Sequence, residues 1–266
     1  MKSRYALRFL ALGYLALLLG IPVALVFVNA FQDGVAAAWE AVTTPEAQHA
    51  FYLTCVMVAV AVPLNTIFGV VCALAIVRQR FRGRALLNAM VDLPFAVSPV
   101  VVGLALLLVY GRRDGWVGEW FAEQGIQVIF STPGMILATM FVSLPFVVRE
   151  VIPVLREIGT EQEQAAATLG AGPLQTFFRV TLPAIRWGVA YGVVLTTARA
   201  LGEFGAVSIV SGKLSGRTET LPLFVENRFQ RFDEVGAYAA SVVLALLALA
   251  TLFAMQAFKG DAEEEV

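Results

Sequence analysis

The chain has few of the groups that catalysis requires. It contains one histidine, His49, and two cysteines, Cys55 and Cys72. No HExxH, CxxC or Cys/His spacing of the metal-ligand kind occurs, and a single histidine near a membrane surface makes a poor half of a Ser–His pair. His49 reads as an ordinary interfacial residue. The cysteines lie seventeen positions apart in one apolar run, too far along a helix to bridge, and read as small buried hydrophobes. No GxxxxGK[ST] is present; Ser211-Gly212-Lys213 lacks the upstream glycine at the needed spacing, so nothing cradles a nucleotide's phosphates. Charge is also scarce, at 15% of residues and a net of −1, which removes the electrostatic case for nucleic acid. No enzymatic activity and no bound cofactor or metal are expected of this chain. If energy drives it, another subunit supplies that energy.

What the chain has in excess is apolar surface. Its 266 residues are 59% hydrophobic, with a mean hydropathy of +0.77, against about 45–50% for a soluble domain. A core of this size cannot hide that excess, so lipid must be the solvent around much of it. The expectation is an all-α integral membrane protein with six transmembrane helices, over residues 9–28, 50–77, 85–110, 133–155, 185–210 and 235–258. The first run is charge-free for twenty residues, long enough to span about 30 Å of hydrocarbon. Signal-peptide cores are shorter, about 7–15 residues, so an uncleaved span is favoured over cleavage near Val28-Asn29-Ala30.

Arginines set the orientation. Arg78, Arg80, Arg82 and Arg84 mark a cytoplasmic loop under the positive-inside rule. In this threading, with Arg149 and Arg186 near the cytoplasmic span ends counted as inside, twelve Lys/Arg fall inside and six outside, and Arg199 alone lies deep in a span, so both termini are cytoplasmic. Arg112 and Arg113 offend the rule in the second external loop, although Asp114, Glu119 and Glu123 are close by. Residues 29–49 form a first external loop with room for a short amphipathic helix, and residues 211–234 a polar external stretch. Prolines in Asp92-Leu-Pro-Phe95 and Ser98-Pro99 kink the third span.

Within the fifth span Arg199 and Glu203 stand four apart, on one helix face. A mid-membrane arginine is costly and faces a protein interior or a wet path. A helix-to-helix tie and an anion-lining role both remain open for it. Asp92, near a span's cytoplasmic end, reads as a structural partner, and Gly188 and Gly192 permit close helix packing. Between the fourth and fifth spans, residues 156–184 form a cytoplasmic segment. Residues 161–169 read as a short helix with Glu161 and Glu163 at its start, where the dipole favours them. Gly170 stops that helix, and Gly172-Pro173 opens a second one that exposes Leu174, Phe177 and Phe178 before Leu182-Pro183 ends it. Alanines 165–167 leave one flank nearly bare, so the groove of a partner can approach.

At these residues the sequence resembles the "EAA" coupling loop of ABC-importer permeases, whose pattern is E-A-A, three residues, Gly, nine residues, I-x-L-P. Gln164, Ala165 and Ala166 stand at the EAA position, Gly170 at the glycine, and Val180, Leu182 and Pro183 at the end, with the spacing kept. Gln164 replaces the family glutamate, which puts a charged contact there in doubt, although Glu163 is adjacent. Further stretches, Asp92 to Ala105, Phe141 to Val151 and Ala198 to Lys213, are similar to the sulfate/thiosulfate permeases; ARALGEFGA alone is shared with molybdate permeases. Leu221 to Glu226 with Val235 to Tyr238 looks more like the W-type than the T-type sulfate subunit.

The resemblance implies a type I, MetI-like permease domain across residues 1–266, in a bacterial inner membrane. It implies a second permease subunit (T-type or self), two cytoplasmic ATPase subunits that use ATP and magnesium, and an extracytoplasmic sulfate-binding protein. A molybdate or tungstate permease is the alternative within the class; a passive anion channel or ion-coupled carrier is the alternative outside it.

Overall fold

A computed structural model describes residues 2–113 and 115–264, with side chains described for residues 7–113 and 115–253. Asp114, used in the sequence reading, lies outside the described residues.

The first apolar run forms one rod: α1 (Lys2–Leu15), a π-helical turn (Ala16–Gly20) and α2 (Ile21–Ala30). Its side chains are mostly exposed, and its second half rests on the last helix of the chain. The first loop does contain a short helix, α3 (Val35–Val42). Next comes α4 (Pro45–Arg78), which starts earlier than its apolar run because Thr44 caps it, accepting the Ala47 N–H at 3.3 Å, and Pro45 suits the first turn. At 34 residues it is about 51 Å long, more than the hydrocarbon layer is thick.

The third expected span is not a kinked helix. It divides into α5 (Arg84–Ala96) and α6 (Pro99–Tyr110), which meet at 114°. Pro99 is the cause: it excludes the α region for Ser98, which is extended at ψ 135°, as is Val97 at ψ 133°. After α7 (Gly118–Glu123) comes α8 (Thr132–Glu157), close to its expected bounds. The connecting segment holds α9 (Glu161–Thr168), α10 (Pro173–Thr176), a π-helical turn (Phe177–Thr181) and α11 (Leu182–Ala184). Leu182-Pro183 does not end a helix as expected. The chain passes through it into α12 (Arg186–Leu201) with only Ile185 between, since a proline in a first turn sacrifices no obligatory bond.

The fifth expected span, 185–210, is also interrupted. Gly202, Glu203 and Phe204 separate α12 from α13 (Gly205–Val210). The stretch after it is more than a polar loop: α14 (Leu221–Gln230) buries Leu221, Leu223 and Phe224, and its first N–H donates to Thr54 Oγ1 at 2.9 Å. Finally α15 (Glu234–Glu264) completes the chain. Among the described residues, four helices are long and apolar enough to cross a membrane, or five if the bent α5–α6 pair counts as one. The one expected span left over is the fifth, the broken α12–α13.

The core is a sandwich of α4, α8 and α12 with Val147 at its centre. A Cβ on Gly69 would come within 2.8 Å of Val147 Cβ, and one on Gly192 within 2.8 Å of Val147 Cα. The Gly188/Gly192 pair thus does what its spacing predicts and brings two backbones together. Asn65, buried, donates to Met140 O and Ser143 Oγ, each at 2.9 Å, and satisfies itself inside the same layer. Two apolar clusters flank it, one around Met57, Met135 and Val207, the other around Ile76, Val148 and Ile185.

Candidate functional site

Two places collect the residues singled out from sequence. The first is the connecting segment. Helix α9 ends in a Schellman motif: Ala171 N–H donates to Ala166 O and Gly170 N–H to Ala167 O, both at 3.0 Å. Gly170 makes this possible with a φ of +85°, a left-handed conformation that side chains oppose, and no atom approaches where its Cβ would be. Gly172 and Pro173 then open α10. Gln164 and Ala165 are exposed, and Gln164 donates to Thr160 Oγ1 at 3.1 Å. Ala166, Val180 and Leu182 are half-buried, and Pro183 is exposed.

Large apolar side chains crown this segment: Leu169 is 88% exposed, Leu174 75% and Phe178 61%. Phe177, expected beside them, instead packs edge-on to Phe178 and turns into the core cluster around Ile76. Glu163 also faces inward. Its Oε2 lies 3.0 Å from Arg78 Nε, and its Oε1 accepts the Thr181 hydroxyl at 2.9 Å. It is therefore committed to the body of the protein and does not supply the charge that Gln164 lacks.

The second place lies at the α5–α6 corner. A cavity of about 440 Å³ is lined by residues 94–99, Val142, Phe146 and Arg199. Phe95 and Phe146 meet edge-to-face at 5.5 Å on its wall. The break between α12 and α13 adjoins this corner, since a Cβ on Gly205 would reach within 2.8 Å of Pro99 Cβ. Two interrupted helices thus come together beside one arginine.

Arg199 and Glu203 do pair, Nη1 to Oε2 at 2.7 Å, but Glu203 lies beyond the helix end rather than on a shared face. Glu203 is 2% exposed, and its other oxygen accepts Ala206 N–H at 2.9 Å, capping α13. It belongs to the frame and does not line the cavity. Arg199 thus pairs with Glu203 on one side and borders the cavity on the other.

Asp92 is a structural partner: Arg149 Nε donates to its Oδ1 at 2.8 Å, and Asn88 joins them. Arg149, counted with the inside set in the threading, thus sits within α8 and ties it to α5. Sequence reasoning missed Phe95, Phe146, Arg78 and Thr181 as site residues. Ser98-Pro99 did mark the corner, but nothing distinguished Arg78 from the three arginines after it.

With this geometry in hand, comparison with known proteins is informative. Residues 65–260 match the family described as the binding-protein-dependent transport system inner membrane component. The chain is 55% identical, over 94% of its length and 91% of the relative's, to the sulfate transport system permease protein CysW of Synechocystis. It is 41% identical to the sulfate transport system permease protein CysT of Synechococcus elongatus, covering 92% and 88% of the two chains. The fold superposes with a TM-score of 0.81, at 18% identity and 97% and 95% coverage, on a bacterial ABC transporter involved in importing the acidic polysaccharide alginate. Bent and broken spans around a core sandwich, with an exposed two-helix segment between α8 and α12, are thus the form of a known class, and the chain belongs to the family of binding-protein-dependent transport system inner membrane components.

Proposed function

We propose that this chain is the permease subunit of an ATP-driven importer of sulfate and thiosulfate, working with a second permease subunit, two cytoplasmic ATPase subunits and an external binding protein. The observation that carries the coupling half of this reading is the crown of Leu169, Leu174 and Phe178, large apolar side chains held outside the helical body on a two-helix segment. Apolar knobs on short helices are what a groove in a partner protein receives. On this reading ATP and magnesium belong to the ATPase subunits, and closure of that pair pushes α9 and α10. The spans then rock, exposing the α5–α6 corner alternately to the two sides.

The oxyanion half is supported by the sulfate-transport relatives and by Arg199 at the cavity wall. A guanidinium offers a planar fork suited to an oxyanion, and the low dielectric around it strengthens that attraction. Gly170→Arg tests the mechanism. It forces a bulky side chain into a left-handed position and breaks the Schellman turn, so uptake of labelled sulfate should vanish and the ATPase should leave the membrane fraction. Uptake that survives would point to a passive channel or an ion-coupled carrier. Competition by thiosulfate, molybdate and tungstate in the same assay ranks the substrates, and dominance by molybdate would overturn the sulfate assignment.

A further inference from the structure

A push on α9 reaches the spans only through whatever joins that helix to the body. On the sequence side the connection to α12 is direct, through α10, the π-helical turn and α11. On the α4 side a cleft of about 300 Å³, lined by Leu74 and Arg78 of α4 and by Glu163, Ala167 and Phe177 of the segment among others, leaves a gap between α9 and α4. Arg78 and Glu163 stand at that gap. Arg78 closes α4 and donates through Nη1 to Leu155 O at 2.8 Å and through Nη2 to Gly159 O at 2.5 Å, taking up carbonyls at the end of α8. Its Nε lies 3.0 Å from Glu163 in α9, and Thr181, in the π-helical turn before α12, donates to the same carboxylate at 2.9 Å.

We propose that Arg78, Glu163 and Thr181 form a positioning node that makes the coupling segment move as one body with α4, α8 and α12; this rests on the coupling function proposed above. The planar fork of an arginine can hold several acceptors in fixed relative positions, which a lysine cannot. The pair is also sheltered, with side chains 15% and 22% exposed, so salt screens it less than a surface pair. Adjacent residues divide the work: Glu163 grips the body, and Gln164 faces the partner. Without the node, α9 could tilt into the gap under load, and the stroke would be spent there.

The test uses the whole importer in proteoliposomes, reading labelled sulfate delivered per ATP hydrolysed. Glu163→Ala and Arg78→Ala should keep the ATPase bound and hydrolysing while that ratio falls about fivefold, as for residues in a coupling network. Arg78→Lys should not restore it, and the double alanine variant should be no worse than either single change, because the two act as a unit. A ratio equal to wild type in both single variants overturns the node. So does a loss of yield or thermal stability with an unchanged ratio per folded complex, which is what a merely structural pair would give. Wild-type uptake that needs no ATPase would instead overturn the parent reading, and is distinguished by failing before any substitution is made.

Discussion

Arg199 is the residue on which the transport reading turns, and its pairing shapes how it must be tested. Arg199→Gln removes the cavity's guanidinium but also strands Glu203, whose carboxylate is buried and relies on that charge. A loss of uptake could then reflect misfolding. The double variant Arg199→Gln with Glu203→Gln removes both charges and leaves a hydrogen-bonding side chain to cap α13. It should fold, judged by detergent-solubilised yield and melting temperature, yet take up sulfate at least about tenfold more slowly, the equivalent of one charge-assisted hydrogen bond. Normal uptake in a folded double variant would end the lining role. At this scale the sequence was half legible. The i, i+4 spacing announced that Arg199 and Glu203 pair, but only the backbone break at Gly202 to Phe204 reveals that Glu203 is a cap.

Among the elements, α8 is the one the others are built against, because two glycines on its neighbours press onto a single residue, Val147. Gly192→Val would drive a branched side chain into the Val147 backbone. Overpacking of this kind costs about 1–3 kcal/mol, so the variant should melt several degrees lower in detergent. Gly170→Ala is the contrasting case: there is room, but the φ of +85° makes an L side chain strained, and the cost of about 1–2 kcal/mol falls on the turn alone. The paired glycines of α12 were visible from spacing. Gly69 was not, since a lone glycine in a long apolar helix carries no period to mark what it faces.

For the whole molecule, the arginine bias predicts both termini on the cytoplasmic side. A phosphatase or fluorescent reporter fused after Val266 should report cytoplasm, and an external signal there would overturn the threading. Orientation and span count rest on different physics. The bias of charges is read by the insertion process, whereas the shape of each span is decided by prolines, caps and neighbours. That is why six apolar runs became four unbroken helices, one pair bent by 114° and one pair split around Glu203.

By itself the sequence determined that this chain lives in lipid and that residues 156–184 hold two short helices divided at Gly170, the segment proposed above to meet an ATPase. These follow from composition and local turn chemistry, both of which are written in neighbouring residues. Only the tertiary structure decided which way Glu163 points, that Arg78 of α4 meets it across 85 positions of chain, and that two helix breaks converge beside Arg199. Such meetings depend on how separate helices pack, and packing joins residues whose separation in sequence bears no period. The two-helix segment was legible because it is local; what anchors it was not, because the anchor is long-range.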